Sequence, residues 1–283
     1  MTDGNATAVG GIRSPSPRHR DLSVFPAVNS SKKLISEFLE WFGDLGLFFG
    51  QVVRAAVTPP FEFGELFRQL DEIGSKSLPL VALAGAATGV VLSLEARYSL
   101  TRFGAKSLLP AAIVFSVIHE TGPIITGLVV SGRAGAGIGA ELASMKVTEQ
   151  IDAIEASAVN PYRLLAATRI LACILMLPLL TLAADFCGVL MGWITQAMVE
   201  PVSLHQFINA GFNGAGFSDF LPPTFKTAAF GLIIGLIACF QGMRTKGGAA
   251  GVGRAATSSV VLSSLFVILA DVVLVKLIII FFP

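Results

Sequence analysis

Charged residues are scarce in this chain, and their scarcity decides its class. Asp, Glu, Lys and Arg make up 14% of the 283 residues, against about 25% in an ordinary soluble domain. Hydrophobic residues make up 53%, and the mean hydropathy is +0.74. The composition therefore excludes an ordinary soluble domain and predicts an all-α membrane protein that crosses the bilayer several times. A net charge of +1 also argues against a nucleic-acid partner.

Metal, disulfide and nucleotide motifs are also missing. The three cysteines lie in apolar runs without the spacing of metal ligands, so we predict neither a disulfide framework nor a zinc site; they are Cys173, Cys187 and Cys239. Gly104, Lys106 and Ser107 lack the Gly-Lys-Ser ending and the upstream glycine of a P-loop. Any hydrolysis of ATP is therefore expected on a partner subunit, and this chain is predicted to be neither an enzyme nor a cofactor-binding protein.

Five apolar runs are candidates for membrane spans, judged against the roughly twenty residues that cross a bilayer. They cover residues 78–94, 108–130, 170–197, 227–240 and 260–282. The fourth is short, so a re-entrant segment is its alternative. Positive charge is unequal between the two sides. One side holds Arg54, Arg68, Lys76, Arg133, Lys146, Arg163, Arg169, Arg244, Lys246 and Arg254, and the other holds Arg97, Arg102, Lys106 and Lys226. The positive-inside rule then predicts a cytoplasmic amino terminus and an external carboxyl terminus.

The region before the first span divides into two parts. Residues 1–31 are rich in Gly, Ser, Pro and Arg, and we predict a disordered cytoplasmic tail. Residues 32–77 alternate apolar and charged positions with helical spacing, which predicts interfacial amphipathic helices on the membrane surface. A soluble helix pair packed on another domain is the alternative. Residues 78–283 then form the five-span domain.

A charged segment follows the second apolar run. Four charged residues recur there every three positions, namely Lys146, Glu149, Asp152 and Glu155. Apolar residues also recur at intervals of three or four, so the spacing predicts one short helix with a charged and an apolar stripe, ending at Asn160 and Pro161. Two hypotheses fit this pattern: a docking element for a partner at residues 141–161, or a solvated helix that covers its own protein.

Ionisable residues inside the apolar runs are costly and therefore informative. His119 and Glu120 lie in the second run, next to Gly122 and Pro123, and we expect the helix to be broken there. The pair could line a polar pocket or bond a neighbouring helix. Two further carboxyl groups, Asp185 and Asp271, lie in the third and fifth runs. A proton-coupled secondary transporter that uses these carboxylates is the alternative to an ATP-driven permease.

Three segments carry a family resemblance. They read HETGPIITGLVVSGRAGAGIGAELASMKVTEQIDAIEASAVNPYRLL, PLLTLAADFCG and FQGMRTKGGAAGVGRAATSSVVLSS. In order and composition they resemble the MlaE/YrbE permeases of ABC transporters that work with MCE proteins. The resemblance implies a multi-pass permease of the bacterial inner membrane that moves phospholipids between the inner and outer membranes. It also implies a homodimer, a cytoplasmic ABC ATPase, a periplasmic MCE protein and room for a small STAS-type accessory subunit.

The resemblance further implies two sites. The lipid cavity would involve Leu100, Phe103, His119 and Glu120, and the segment that couples to the ATPase would involve Lys146, Glu149, Gln150, Asp152 and Glu155. The chain departs from the family at the first site. Members commonly have a basic residue where this chain has His119, and a leucine where it has Thr121, so the charge there is expected to depend on pH.

Overall fold

The computed structural model describes residues 27–58, 62–213 and 217–281, and these residues form helices without a strand. The eight helices of the described residues are α1 (Ala27–Val57), α2 (Phe63–Arg102), α3 (Lys106–Val147), α4 (Gln150–Ala156), α5 (Tyr162–Ala197), α6 (Leu204–Gly211), α7 (Phe217–Met243) and α8 (Gly248–Phe281). The all-α prediction is confirmed. The predicted tail falls outside the described residues as far as residue 26, whereas residues 27–31 belong to α1.

Five of these helices are long and apolar enough to cross a membrane, namely α2, α3, α5, α7 and α8. The number of predicted spans is therefore confirmed. The short fourth run belongs to the 27-residue helix α7, which favours a span over a re-entrant segment. The last part of the predicted interfacial region, residues 63–77, is not a separate helix, because it belongs to α2, which continues through Pro79 from Phe63 to Arg102.

Small residues bring the spanning helices into backbone contact. α2 packs along α5, α5 packs along α7, and α3 contacts all four other spans. A Cβ atom added at Gly85 would overlap the backbone of Ala184, and one added at Gly89 would overlap the carbonyl group of Gly188. Without a strong hydrophobic force between helices in lipid, such close packing holds a membrane bundle together.

Helix α3 corrects the prediction of a break near Pro123. It continues from Lys106 to Val147 but contains two π-helical turns, at Val117–Thr121 and at Ser131–Gly135. The first turn absorbs the missing backbone donor of Pro123, which lies at the start of the next α-helical stretch. The hydroxyl of Thr121 also donates to the carbonyl oxygen of Ser116 at 2.8 Å. The helix is therefore locally widened and remains continuous.

The predicted charged stripe does not lie on one helix. α3 ends at Val147, Glu149 has a left-handed backbone with φ of 59°, and α4 begins only at Gln150. Lys146 thus belongs to the end of α3, while Asp152 belongs to α4. The charged residues keep their spacing of three across the turn at Glu149, so the spacing alone does not reveal that turn. Below, the α4 end is the end of the bundle where α3 meets α4, and the α6 end is the opposite one.

Candidate functional site

A buried lysine lies at the centre of an ion cluster inside the bundle. Lys226 comes from α7, and its side chain is 1% exposed. Its Nζ lies 3.1 Å from Glu120 Oε2 of α3 and 2.9 Å from Asp271 Oδ1 of α8. Three spanning helices are therefore joined by one amine. Because an unpaired charge at this depth is costly, each partner depends on the other two.

The two carboxylates of this cluster differ in exposure. The Asp271 side chain is 4% exposed, whereas that of Glu120 is 49% exposed. Glu120 is therefore the member of the cluster that an incoming molecule can reach. His119 precedes it and stacks on Phe115, with the two ring centroids 4.0 Å apart. The predicted polar pair thus lies beside an aromatic surface and next to a buried cation.

Asp185 of α5 brings a third carboxyl group close to the cluster. The residue is buried, and its Oδ1 atom has no hydrogen-bond partner among the described residues. This oxygen packs against the backbone of α3, where a Cβ atom at Gly122 would overlap it. A side chain at position 122 would therefore overlap Asp185, so Gly122 allows α3 and α5 to pack closely.

An apolar groove borders the same region. It has a volume of about 460 Å³ and is lined by residues of α3, α5, α6 and α7, with Asp185 among otherwise mostly apolar side chains. Ile118, Phe186 and Val189 are three of them. The site thus combines an ion cluster with apolar surface, which is the combination that an amphipathic molecule requires.

The other two predicted cavity residues lie nearer the α6 end. Leu100 packs against an apolar cluster that contains Ile113, Val117 and Phe207. Phe103 follows α2 and is 82% exposed. A shared cavity of Leu100, Phe103, His119 and Glu120 stays a prediction.

The predicted coupling residues lie in and beside α4. Ile151 anchors the helix, since it is only 4% exposed. Lys146 Nζ lies 2.7 Å from Asp152 Oδ1, so an ion pair joins the end of α3 to α4. Glu149, Gln150 and Glu155 are exposed. Lys146, Asp152 and Glu155 line one groove of the α4 end, and the role of all five predicted residues in coupling stays a prediction.

A second buried cation lies behind this surface. Arg169 of α5 is 1% exposed at its side chain, and its Nη2 lies 2.9 Å from Glu141 Oε1 of α3. Its Nη1 donates to the carbonyl oxygen of Leu165. The sequence placed both Arg169 and Lys226 among the loop cations, but the structure places both inside the bundle. The apolar runs begin one residue after each of these cations. The helices begin earlier than the runs, and both cations lie in the additional helical turns.

An exposed ion pair network closes the α6 end. Glu200 Oε1 lies 2.7 Å from Arg97 Nη2 and 3.1 Å from Lys106 Nζ, which joins the end of α2, the start of α3 and the segment after α5. Hydrogen bonding from Lys106, together with the charge of Arg97, lowers the pKa of Glu200 below its ordinary value of 4.5. Among the described residues, no group of three or more His, Cys, Asp or Glu side chains could hold a metal ion.

Comparison with known proteins places this architecture in a family. The sequence profile described as Permease MlaE matches residues 66–277. The chain belongs to the MlaE permease family. Its match covers all five spans, the ion cluster and α4, while α1 lies outside it.

Relatives of this MlaE permease come from bacteria and plants. A probable ABC transporter permease protein of Rickettsia conorii is 35% identical over 90% of this chain and 98% of its own length. One from Synechocystis is 30% identical over 82% and 89%. The chloroplastic protein trigalactosyldiacylglycerol 1 of Arabidopsis thaliana is 31% identical over 80% of this chain and 64% of its own length. The chain is thus a multi-pass membrane permease, and its Rickettsia and Synechocystis relatives are named as probable permeases of ABC transporters.

Proposed function

We propose that this chain is the permease subunit of an ABC transporter that moves phospholipids between the inner and outer membranes of a bacterium. The observation that carries the proposal is the half-exposed Glu120, which is paired with the buried Lys226 near an apolar groove that Asp185 lines. A phospholipid needs both kinds of surface, because its tails are apolar and its head group is charged. The name of the Arabidopsis relative is that of a glycerolipid, which supports a lipid cargo.

The proposed assembly contains two copies of this chain. A cytoplasmic ABC ATPase binds at the α4 end and hydrolyses ATP, an MCE protein binds at the periplasmic side, and a STAS-type subunit is an accessory. The exposed carboxylates of the α4 surface support the ATPase contact, since they are available to a basic partner. The two copies would face each other across a lipid cavity formed by Leu100, Phe103, His119 and Glu120 of each.

The proposed location is the bacterial inner membrane, with the amino terminus in the cytoplasm and the carboxyl terminus in the periplasm. The burial of Lys226 and Arg169 removes one cation from each side of the loop count and leaves the excess on the α4 side. Single cysteines at the exposed positions Ser99 and Ser144 test this orientation. An impermeant maleimide should label position 99 from outside and should spare position 144 in intact cells; the reverse pattern would invert the topology.

The function is tested by Glu120→Gln in the reconstituted transporter. The substitution keeps the shape of the side chain and removes its charge, so we expect normal insertion and slower ATP-dependent movement of a labelled phospholipid per folded dimer. Glu95→Gln is the matched control, because Glu95 is exposed on α2 and lies outside the ion cluster. Equal lipid movement in the two variants would make Glu120 a structural residue only.

A proton-coupled secondary transporter remains the second candidate. One observation favours it: Glu120, Asp185 and Asp271 supply three carboxyl groups near a single amine. Proton relays use such intramembrane carboxyl groups. The two functions differ in their energy source. Lipid movement driven by a pH gradient without the ATPase would support the second candidate, whereas a strict requirement for ATP hydrolysis supports the first.

A further inference from the structure

A polar cavity of about 390 Å³ lies between α2 and α3, away from the Lys226 cluster. Its charged lining consists of two arginines and two glutamates, namely Arg68, Arg133, Glu72 and Glu141. The volume falls within the range of small-molecule sites in proteins. The cavity belongs neither to the ion cluster nor to the α4 surface, so it calls for an explanation of its own.

The cavity lies where α2 and α3 pass from their apolar runs into polar sequence at the α4 end. On α2 the polar positions give way to the apolar run at Leu78, and on α3 the apolar run gives way to polar positions after Val130. Arg68 and Glu72 lie on the polar side of the first boundary, and Arg133 lies on the polar side of the second. Both walls therefore change from apolar to polar at the cavity, as expected at the surface of a bilayer.

Arg133 is a fixed donor on the cavity wall. Its Nη1 donates to the carbonyl oxygen of Glu72 at 2.8 Å and to Ser77 Oγ at 2.9 Å, and its Nη2 lies 3.2 Å from Glu72 Oε1. A guanidinium group has five N–H donors, so two remain for a ligand. Arg68 adds a second donor, since its side chain is 67% exposed and, among the described residues, its ion pair is with Glu65. Such donors suit the oxygens of a phosphate.

The negative charges of the cavity are the carboxylates of Glu72 and Glu141. Glu141 uses Oε1 for the buried Arg169, its side chain is 47% exposed, and its second oxygen remains for a ligand. Glu72 is occupied by Arg133 and Lys76. The four charged side chains of the lining sum to zero, and their ion-pair partners Glu65, Lys76 and Arg169 add one net positive charge. The arginines therefore offer donors to a phosphate, and the second oxygen of Glu141 offers an acceptor to an ammonium group.

We propose that this cavity binds the zwitterionic head group of a phospholipid with a primary ammonium group. The phosphate contacts Arg68 and Arg133, and the ammonium group donates to Glu141. This inference rests on the proposed function and deepens it, because it names the head-group class and a binding position in the leaflet at the α4 end. The position is distinct from the predicted cavity of Leu100, Phe103, His119 and Glu120.

Two glycines of α3 provide a matched crosslinking test. A Cβ atom at Gly132 or at Gly137 meets nothing within 4 Å, and both residues are exposed, but only Gly137 lines the cavity. A photoreactive residue in place of Gly137, in the assembled transporter in membranes, should crosslink phosphatidylethanolamine several-fold more than the same residue in place of Gly132. Equal crosslinking at both positions would indicate surrounding bilayer lipid, and crosslinking of position 137 to protein alone would indicate a subunit contact; either result would overturn the proposal.

Head-group chemistry supplies the second test. With identical acyl chains, phosphatidylethanolamine should be retained by the purified full-length protein more than phosphatidylcholine, which lacks N–H donors, or phosphatidylglycerol, which lacks the cation. Arg68→Gln should weaken retention of phosphatidylethanolamine by about tenfold, the scale of one charge-assisted hydrogen bond. Arg102→Gln is the control, since Arg102 is exposed at the other end of the same helix. Indifference to head group and to Arg68 would overturn the proposal.

The two tests separate this inference from the proposed function. If lipid crosslinks at Leu100 or Phe103 and is moved by ATP, but never reaches position 137, the permease moves phospholipid and the cavity between α2 and α3 does not bind it. If phosphatidylethanolamine binds at position 137 but no lipid is moved, the cavity binds lipid and the transport function fails.

Discussion

The cluster around Lys226 and the surface around α4 hold similar side chains in opposite surroundings. Lys226 is 1% exposed and pairs with two carboxylates from two other helices. Lys146 pairs with Asp152, and both are substantially exposed. The first group lies inside the spans and the second lies at their end.

This difference in burial separates charges that stabilise the bundle from charges that are available to a partner. A buried charge without its partner retains its desolvation cost, so the Lys226 cluster couples the positions of three spanning helices. An exposed charge loses little when its partner goes, because water replaces it. The α4 surface is therefore free to vary without affecting the fold, and its charges are available to another protein. Substitution should damage folding in the first region and assembly in the second.

Lys226→Gln should produce the largest loss. It leaves the Asp271 carboxylate inside the bundle without its cation, and Glu120 beside it. We expect a loss of about 3–5 kcal/mol in the free energy of unfolding, measured in detergent by thermal or denaturant unfolding. Lys146→Gln is the matched control from the exposed surface and should cost less than about 1 kcal/mol. Similar losses in the two variants would abolish the distinction between the regions.

Gly122→Ala should produce the next largest loss. The added Cβ atom overlaps Asp185 Oδ1, so the Asp185 carboxyl group must leave its position or the contact between α3 and α5 must widen. Overpacking of this kind costs about 1–3 kcal/mol. Gly132→Ala on the same helix meets nothing and should be neutral or slightly stabilising. The double variant with Asp185→Ala should lose less than the sum of the two single variants; simple additivity would mean that the two residues are not in contact.

Reversal of charge at Glu149 and Asp152 should have a small effect on stability and a large one on assembly. Both residues are exposed, and within the described part of the chain their one ion pair is that of Asp152 with Lys146. We expect Glu149→Lys with Asp152→Lys to change unfolding by less than about 1 kcal/mol. Co-purification of the ATPase should fall, because a basic partner surface would meet like charge. A double variant that retains its ATPase and transports normally would exclude α4 as the coupling element.

The sequence shows the charged segment at α4 but does not show which charges pair in the buried cluster, for a physical reason. Apolar runs and helical spacing are local signals, so the five spans could be read directly. The partnership of Lys226 with Glu120 and Asp271 joins residues more than forty positions apart, and no local pattern reports it. The sequence pattern places Lys226 in a loop because its apolar run begins one residue later, although α7 begins at Phe217.

Two local features of the backbone could not be predicted from the sequence. Pro123 predicted a break, but a π-helical turn lets the helix continue past it. The spacing of Lys146, Glu149 and Asp152 predicted one helix, but the left-handed backbone at Glu149 divides the stripe. In both places the chain departs from a regular α-helix by only one turn. Periodicity is insensitive to a departure of that size.

Glu200→Gln at the α6 end should have the smallest effect on stability. It tests whether exposure alone determines how much a charged side chain contributes to stability. Lys106 and Arg97 lower the pKa of Glu200 below 4.5 in the folded protein. The ionised form is therefore favoured by folding, so its stabilising contribution is complete above pH 4.5 and is lost as the pH falls below that value. Thermal unfolding of the wild type should thus lose a small increment below pH 4.5 that Glu200→Gln does not lose. Because the Glu200 side chain is 40% exposed, this increment should shrink further at high salt. If it equals the loss in Lys226→Gln, then burial does not govern the energetics of charge in this permease.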